Sequence, residues 1–155
     1  MKKILFVCTG NSCRSVMAEG LLRHFLEKKG RTDIQVLSAG VGTSGGFGAT
    51  VETVEVMKRE GIDVSRHVGQ AVTPDLIHHA DAIFCMEEYH RGRILSLEPQ
   101  ANGKVHLLRI FQSKAKVTDP NIADPIGRPK EVYESCLLTI KEGVERIVRW
   151  LEKQG

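Results

Sequence analysis

No apolar run in this chain comes near the ~18 residues a membrane-spanning helix needs, so no membrane partner is expected. Aromatic residues are scarce, at 5%, and no basic stripe is interleaved with them. That excludes stacking on single-stranded nucleic acid, and no nucleic-acid partner is expected. Charge of one sign is also missing: the net value is +3, too small to argue for a polyanion though compatible with a small anionic substrate. The four cysteines, Cys8, Cys13, Cys85 and Cys136, are unevenly spaced and outline no disulfide framework. They read as reduced thiols in a cytoplasmic protein. The opening MKKILFVCTG has an apolar run only from Ile4 to Cys8, too short for a signal-peptide core. Linkers, internal repeats and low-complexity segments are absent too, and 155 residues suit a single domain, 1–155.

What is present is an alternation of strand and helix signals. Apolar, β-favouring runs at Ile4–Val7, Ile34–Leu37, Asp81–Met86 and Val105–Leu108 predict strands. Helical spacing predicts helices over Ser15–Lys29, Thr50–Arg59, Pro74–His79, Glu87–Leu97 and Glu131–Glu152. Gly30 and Gly61 mark helix stops, and Thr73 stands where a cap for the third helix belongs. A glycine-rich loop occupies 40–48, and a long loop over 111–130 holds three of the five prolines. Such alternation implies parallel βαβ units with right-handed crossovers. The expected fold is therefore α/β: a doubly wound, four-stranded parallel sheet with helices on both faces. In such folds the site lies beyond the carboxyl ends of the strands, where Cys8 stands.

Between the first strand and first helix lies Cys8-Thr9-Gly10-Asn11-Ser12-Cys13-Arg14-Ser15. Successive backbone N–H groups in such a turn curl around an oxyanion, and the helix dipole favours negative charge. Gly10 and Asn11 are residue types that tolerate left-handed backbone angles. Arg14 brings a planar fork for two phosphate oxygens. In the same positive field a Cys8 thiolate is favoured, and a thiolate facing a phosphoryl group is a nucleophile. Ser15 is placed to donate a hydrogen bond to it. The spacing excludes two nucleotide cradles: a Walker loop would end Gly-Lys-Ser/Thr, and a dinucleotide fingerprint would need three glycines. A bland alternative remains, in which Cys8 is a small core residue and Arg14 a surface one.

The chain resembles the low-molecular-weight protein tyrosine phosphatase family along nearly its whole length. The likeness rests on VCTGNSCRSVMAEG at 7–20, LSAGV at 37–41, the H-x-x-Q segment at 67–70, ADAIFCMEEYH at 80–90 and ADPIG at 123–127. The resemblance implies a phosphatase with a phosphocysteine intermediate and without metal or other cofactor. Cys8 would be the nucleophile. Thr9, Gly10, Asn11, Ser12, Cys13, Arg14 and Ser15 would hold phosphate. An aspartate would protonate the leaving group and then activate water. Two Asp-Pro pairs compete for that role, Asp119-Pro120 and Asp124-Pro125; family position favours Asp124, and either could simply start a turn. Ser38 and His67 would support the loop through Asn11. The implied partners are a phosphorylated protein substrate and inorganic phosphate, as product and inhibitor.

Substrate choice is where the chain departs from the family. Its tyrosine phosphatases carry an aliphatic residue at the position of Ser12 and tyrosines after the Asp-Pro, where this chain has Ile126. The family's arginine phosphatases have a small hydroxyl residue in the loop and no tyrosine after Asp-Pro. A modest lean to phosphoarginine follows, with phosphotyrosine as the family default. Arsenate reductases of the same fold share CTGNSCRS but need two further cysteines about seven residues apart. Cys85 lies in the right segment, Gly92 stands where its partner would, and Cys136 is far along the chain. A non-catalytic phosphopeptide-binding module is the other alternative, against which the set Cys8, Arg14 and Asp124 argues. Cys13 lies five residues from Cys8 in one tight loop; it would either form a reversible disulfide with it under oxidant or lie inert under the helix.

Overall fold

A computed structural model describes residues 2–154; the expected domain also includes Met1 and Gly155, which lie outside the described residues. The elements run β1 (Lys2–Cys8), α1 (Arg14–Lys28), β2 (Ile34–Gly40), α2 (Val51–Arg59), α3 (Pro74–His79), β3 (Ala82–Cys85), α4 (Glu88–Leu97), a 3-10 turn (Pro99–Lys104), β4 (Val105–Leu107) and α5 (Lys130–Gln154). All strand pairs are parallel, in the order β2-β1-β3-β4. The chain leaves β1 toward β2 on one side and returns to β3 on the other. The switch point therefore lies at the carboxyl end of β1, where ligands bind in open α/β sheets.

The unbroken apolar run of β1 has a simple cause. Alternate residues feed two different cores: Ile4 and Phe6 pack with α1, α2 and α5, while Leu5 and Val7 pack with Ile77 of α3 and Ile94 of α4. A strand buried on both faces has no polar side to show. The long last helix closes the first core with Tyr133, Cys136, Leu137, Ile140, Val144, Ile147, Val148 and Leu151, at helical spacing on one face. Each fully buried side chain of this kind contributes about 1.5–3 kcal/mol.

Element ends differ from the sequence expectation in instructive places. Cys8 does not follow β1; it is its last residue, paired with Gly40. Strand β2 continues past Leu37 through Ser38, Ala39 and Gly40. Small residues signal strand weakly, and here the ladder with β1 holds them extended. Thr50 and Glu87 sit just outside their helices as caps. The 3-10 turn after Glu98 had no clear signal beyond Pro99.

Candidate active site

Between β1 and α1 the backbone turns through Thr9–Cys13. Asn11 takes the left-handed angle, with φ 54°, whereas Gly10 does not. The flanking glycine that matters is Gly40 on β2. A Cβ there would stand 2.5 Å from the Thr9 carbonyl oxygen and 3.0 Å from the Asn11 nitrogen, so only glycine lets β2 come this close. Three backbone bonds pin the loop to the glycine-rich segment that follows β2 and to the cap of α2: Val41 N–H to the Cys8 carbonyl (3.0 Å), Gly42 N–H to Thr9 (2.9 Å) and Thr50 N–H to Ser12 (3.1 Å).

The side chain of Asn11 is fully buried and fixes proton directions through the loop. Its Oδ1 accepts from Gln70 N–H at 2.9 Å, which sets the amide orientation. Both Nδ2 hydrogens are then spent, on Ser15 Oγ (2.8 Å) and Ser38 Oγ (2.9 Å). Ser15 accepts there, so its own hydrogen is left for Cys8 Sγ at 2.9 Å. Ser38 donates in turn to Glu19 Oε1. Cys8 Sγ also accepts from Asn11 N–H at 3.3 Å. His67 Nε2 donates to the Asn11 carbonyl at 2.8 Å. The structure thus joins Cys8, Asn11, Ser15, Ser38 and His67 in one network, with Gln70 as a member that sequence reading left without a role.

Arg14 opens α1 and is 1% exposed. Its Nη1 donates to Glu87 Oε2 and to the Ile122 carbonyl, both at 2.6 Å. With Nη1 held, the Nε–Nη2 edge is the free one, touched only by long contacts: Thr9 Oγ1 at 3.5 Å and Asp124 Oδ2 at 3.7 Å. That edge is geometrically suited to two oxygens of one oxyanion. Asp124 is partly exposed, and its Oδ1 accepts from Ile126 N–H at 3.1 Å. Asp119 closes its own turn by accepting from Asn121 N–H at 2.9 Å. Ile126 is 54% exposed, and Ser12 is half-buried, its Oγ directed to Cys13 Sγ at 3.8 Å.

Glu87 and His90 were missed by sequence reading, although both lie in the ADAIFCMEEYH segment. The available signal was topological: they follow β3, the strand beside β1, at the same end of the sheet. Burial, reinforced by the Arg14 charge, lowers the His90 pKa to about 4, so the ring is neutral at physiological pH. Cys13 lies against Thr50 Oγ1 (3.5 Å) and Tyr133 Oη (3.7 Å). Cys136 is buried on the inner face of α5, which pushes its thiol up to about 12; burial inside β3 pushes the Cys85 thiol up further. Neither is suited to pass electrons as a thiolate. A cleft of about 530 Å³ is lined by Glu19, Arg23, Ser38, His67 and Gln70, and touches the loop only through its supporting residues. Among the described residues no three His, Cys, Asp or Glu side chains are grouped to hold a metal ion, and no helix is long and apolar enough to cross a membrane.

A buried arginine and a cysteine around a backbone cradle, at the switch point of a parallel sheet, define an α/β enzyme that handles a small oxyanion. The chain belongs to the low molecular weight phosphotyrosine protein phosphatase family, whose model matches residues 3–155. It is 37% identical over 155 residues to a probable low molecular weight protein-tyrosine-phosphatase, EpsP, of Ralstonia nicotianae, covering 100% of this chain and 99% of the relative. It is 36% identical over 152 residues to a protein-arginine-phosphatase of Geobacillus stearothermophilus, covering 98% and 97%. Among solved structures, YwlE arginine phosphatase, as a cysteine-to-serine mutant with a phosphorylated active-site serine, superposes with a TM-score of 0.89 at 30% identity, covering 97% of this chain and 96% of that one. The chain is thus a low molecular weight protein phosphatase.

Proposed function

We propose that the chain hydrolyses phosphorylated protein side chains through a phosphocysteine on Cys8. The observation that carries this reading is the forced direction of the Asn11–Ser15–Cys8 hydrogen bonds, which presents a donor to a thiolate. Cys8 Sγ attacks phosphorus, and the bond to the leaving oxygen or nitrogen breaks. The Nε–Nη2 edge of Arg14 and the amides of Thr9 to Ser15 hold the phosphoryl oxygens. Asp124 gives its proton to the leaving group, then takes one from the water that splits the S–P bond. Inorganic phosphate leaves, and competes with substrate for the same cradle. Ser38 and His67 act by holding Asn11. No cofactor takes part.

The position of Asp124 beside Arg14 supports it over Asp119. Asp124→Asn is expected to lower kcat by on the order of 10²–10³ on alkyl phosphate or phosphoramidate substrates, which need protonation on leaving. Asp119→Asn should turn over like wild type. Steady-state kinetics of the two variants side by side checks this; an Asp119 effect as large as that of Asp124 reverses the assignment.

The substrate reading favours phosphoarginine, because the loop wall carries Ser12 and the position after Asp-Pro carries Ile126 in place of a tyrosine. The protein-arginine-phosphatase relative supports the same reading. In buffer with chelator, kcat/KM is expected to be higher on a phosphoarginine peptide than on a matched phosphotyrosine peptide. Ser12→Ile should shift the ratio about tenfold toward tyrosine. Preference of the wild type for phosphotyrosine would remove Ser12 and Ile126 as determinants.

A further inference from the structure

His90 sits in the first turn of α4 with no exposed surface. Its Nδ1 is 3.0 Å from the Glu87 backbone nitrogen. A backbone N–H can only donate, so Nδ1 is the lone-pair nitrogen. The neutral ring then carries its single proton on Nε2, which faces Thr9 Oγ1 at 2.9 Å. Thr9 Oγ1 is therefore an acceptor. Its other polar neighbour, Arg14 Nη2 at 3.5 Å, is also a donor. Neither can receive the hydroxyl's own hydrogen. Thr9 is only half-buried, with its methyl group toward Gly42 and its oxygen beside the free edge of Arg14.

We propose that His90 is a positioning residue that makes the Thr9 hydroxyl an obligate donor to a phosphoryl oxygen held by Arg14. The inference rests on the phosphatase reading of the cradle. A threonine hydroxyl is a free rotor that offers a hydrogen or a lone pair. Phosphoryl oxygens only accept, so a lone pair turned toward them repels. The histidine settles the choice before substrate arrives, as preorganised oxyanion binding requires. The opposite tautomer would reverse the polarity of Thr9, and the Glu87 N–H prevents it. The same Glu87 holds Arg14 through its side chain, so His90 has a second route to the cradle, which a test must separate.

The test uses the full chain, p-nitrophenyl phosphate turnover and the competitive inhibition constant of inorganic phosphate. Thr9→Val is expected to weaken phosphate inhibition about tenfold, the range for a hydrogen bond to a charged group. Thr9→Ser should recover most of that loss. His90→Phe should weaken inhibition several-fold, and His90→Gln, which keeps an N–H donor, should recover part of it. In the double variant of Thr9→Val with His90→Phe the losses should not multiply, because His90 acts through the hydroxyl already removed. Multiplying losses assign the effect to Glu87 and Arg14 and overturn the proposal. So does Thr9→Val with unaltered inhibition, an outcome readable even if His90→Phe fails to fold. Absence of wild-type turnover, or turnover retained by Cys8→Ser, overturns the phosphatase reading instead.

Discussion

Cys8→Ser is expected to lower kcat/KM on p-nitrophenyl phosphate by at least about 10⁴-fold, as for other nucleophile deletions. The change replaces one atom in a fully enclosed position, 2% exposed, and the serine oxygen can still meet Ser15 and Asn11. The fold should therefore survive, with a thermal midpoint near that of wild type. What is lost is chemical: a hydroxyl in this cradle has no base beside it, since Ser15 is committed as a donor. A phosphate-binding loop that is merely a docking site would behave differently, keeping its phosphopeptide affinity and showing no turnover even as wild type. Kinetics and a melting curve on the two proteins decide it. Residual activity above about a hundredth of wild type would assign the attack to another group.

The second large effect is expected from Arg14→Lys, about 10³-fold in kcat/KM despite conservation of charge. A lysine ammonium is one point with three donors. It cannot hold the Glu87 carboxylate and the Ile122 carbonyl while presenting a separate two-pronged edge to phosphate, as the planar guanidinium does. Most of the loss should fall on phosphoryl-transfer rate and phosphate affinity together, because in the proposed mechanism the same edge serves ground state and transition state. Keeping the positive charge spares Glu87 the cost of an unpaired position, so expression and folding should hold. A lysine variant within about tenfold of wild type would show that Arg14 acts as charge alone, and the bidentate edge would lose its role.

The loop was legible because its parts are contiguous. Cys8, Asn11, Arg14 and Ser15 stand within eight residues, at a strand-to-helix junction that periodicity alone locates. Ser38 and His67 became legible only through resemblance, since nothing local distinguishes a serine in LSAGV from a turn serine. The groups that hold Arg14 Nη1 were not legible at all. Glu87 is 73 residues away and Ile122 is 108, and the latter contributes a backbone carbonyl, which no side-chain motif can encode. The two Asp-Pro pairs look alike in residue pattern; family position favours Asp124, and Asp124 is the one that lies beside Arg14, at 3.7 Å. Strand ends failed where small residues are held extended by pairing, as at Ser38–Gly40, rather than by their own preference.

The span of those contacts carries a consequence for the chain as it is made. Asn11 is held from 56 and 59 residues further along, by His67 and Gln70. Arg14 waits for Ile122, and Cys13 for Tyr133, 120 residues downstream. The loop precedes all of these partners in the chain, and its geometry is complete only when Tyr133 has followed. Folding of such long-range pairings is late by nature, because loop closure precedes any gain from the contacts. A chain ended before Tyr133 therefore carries the whole loop sequence without the contacts that shape its cradle.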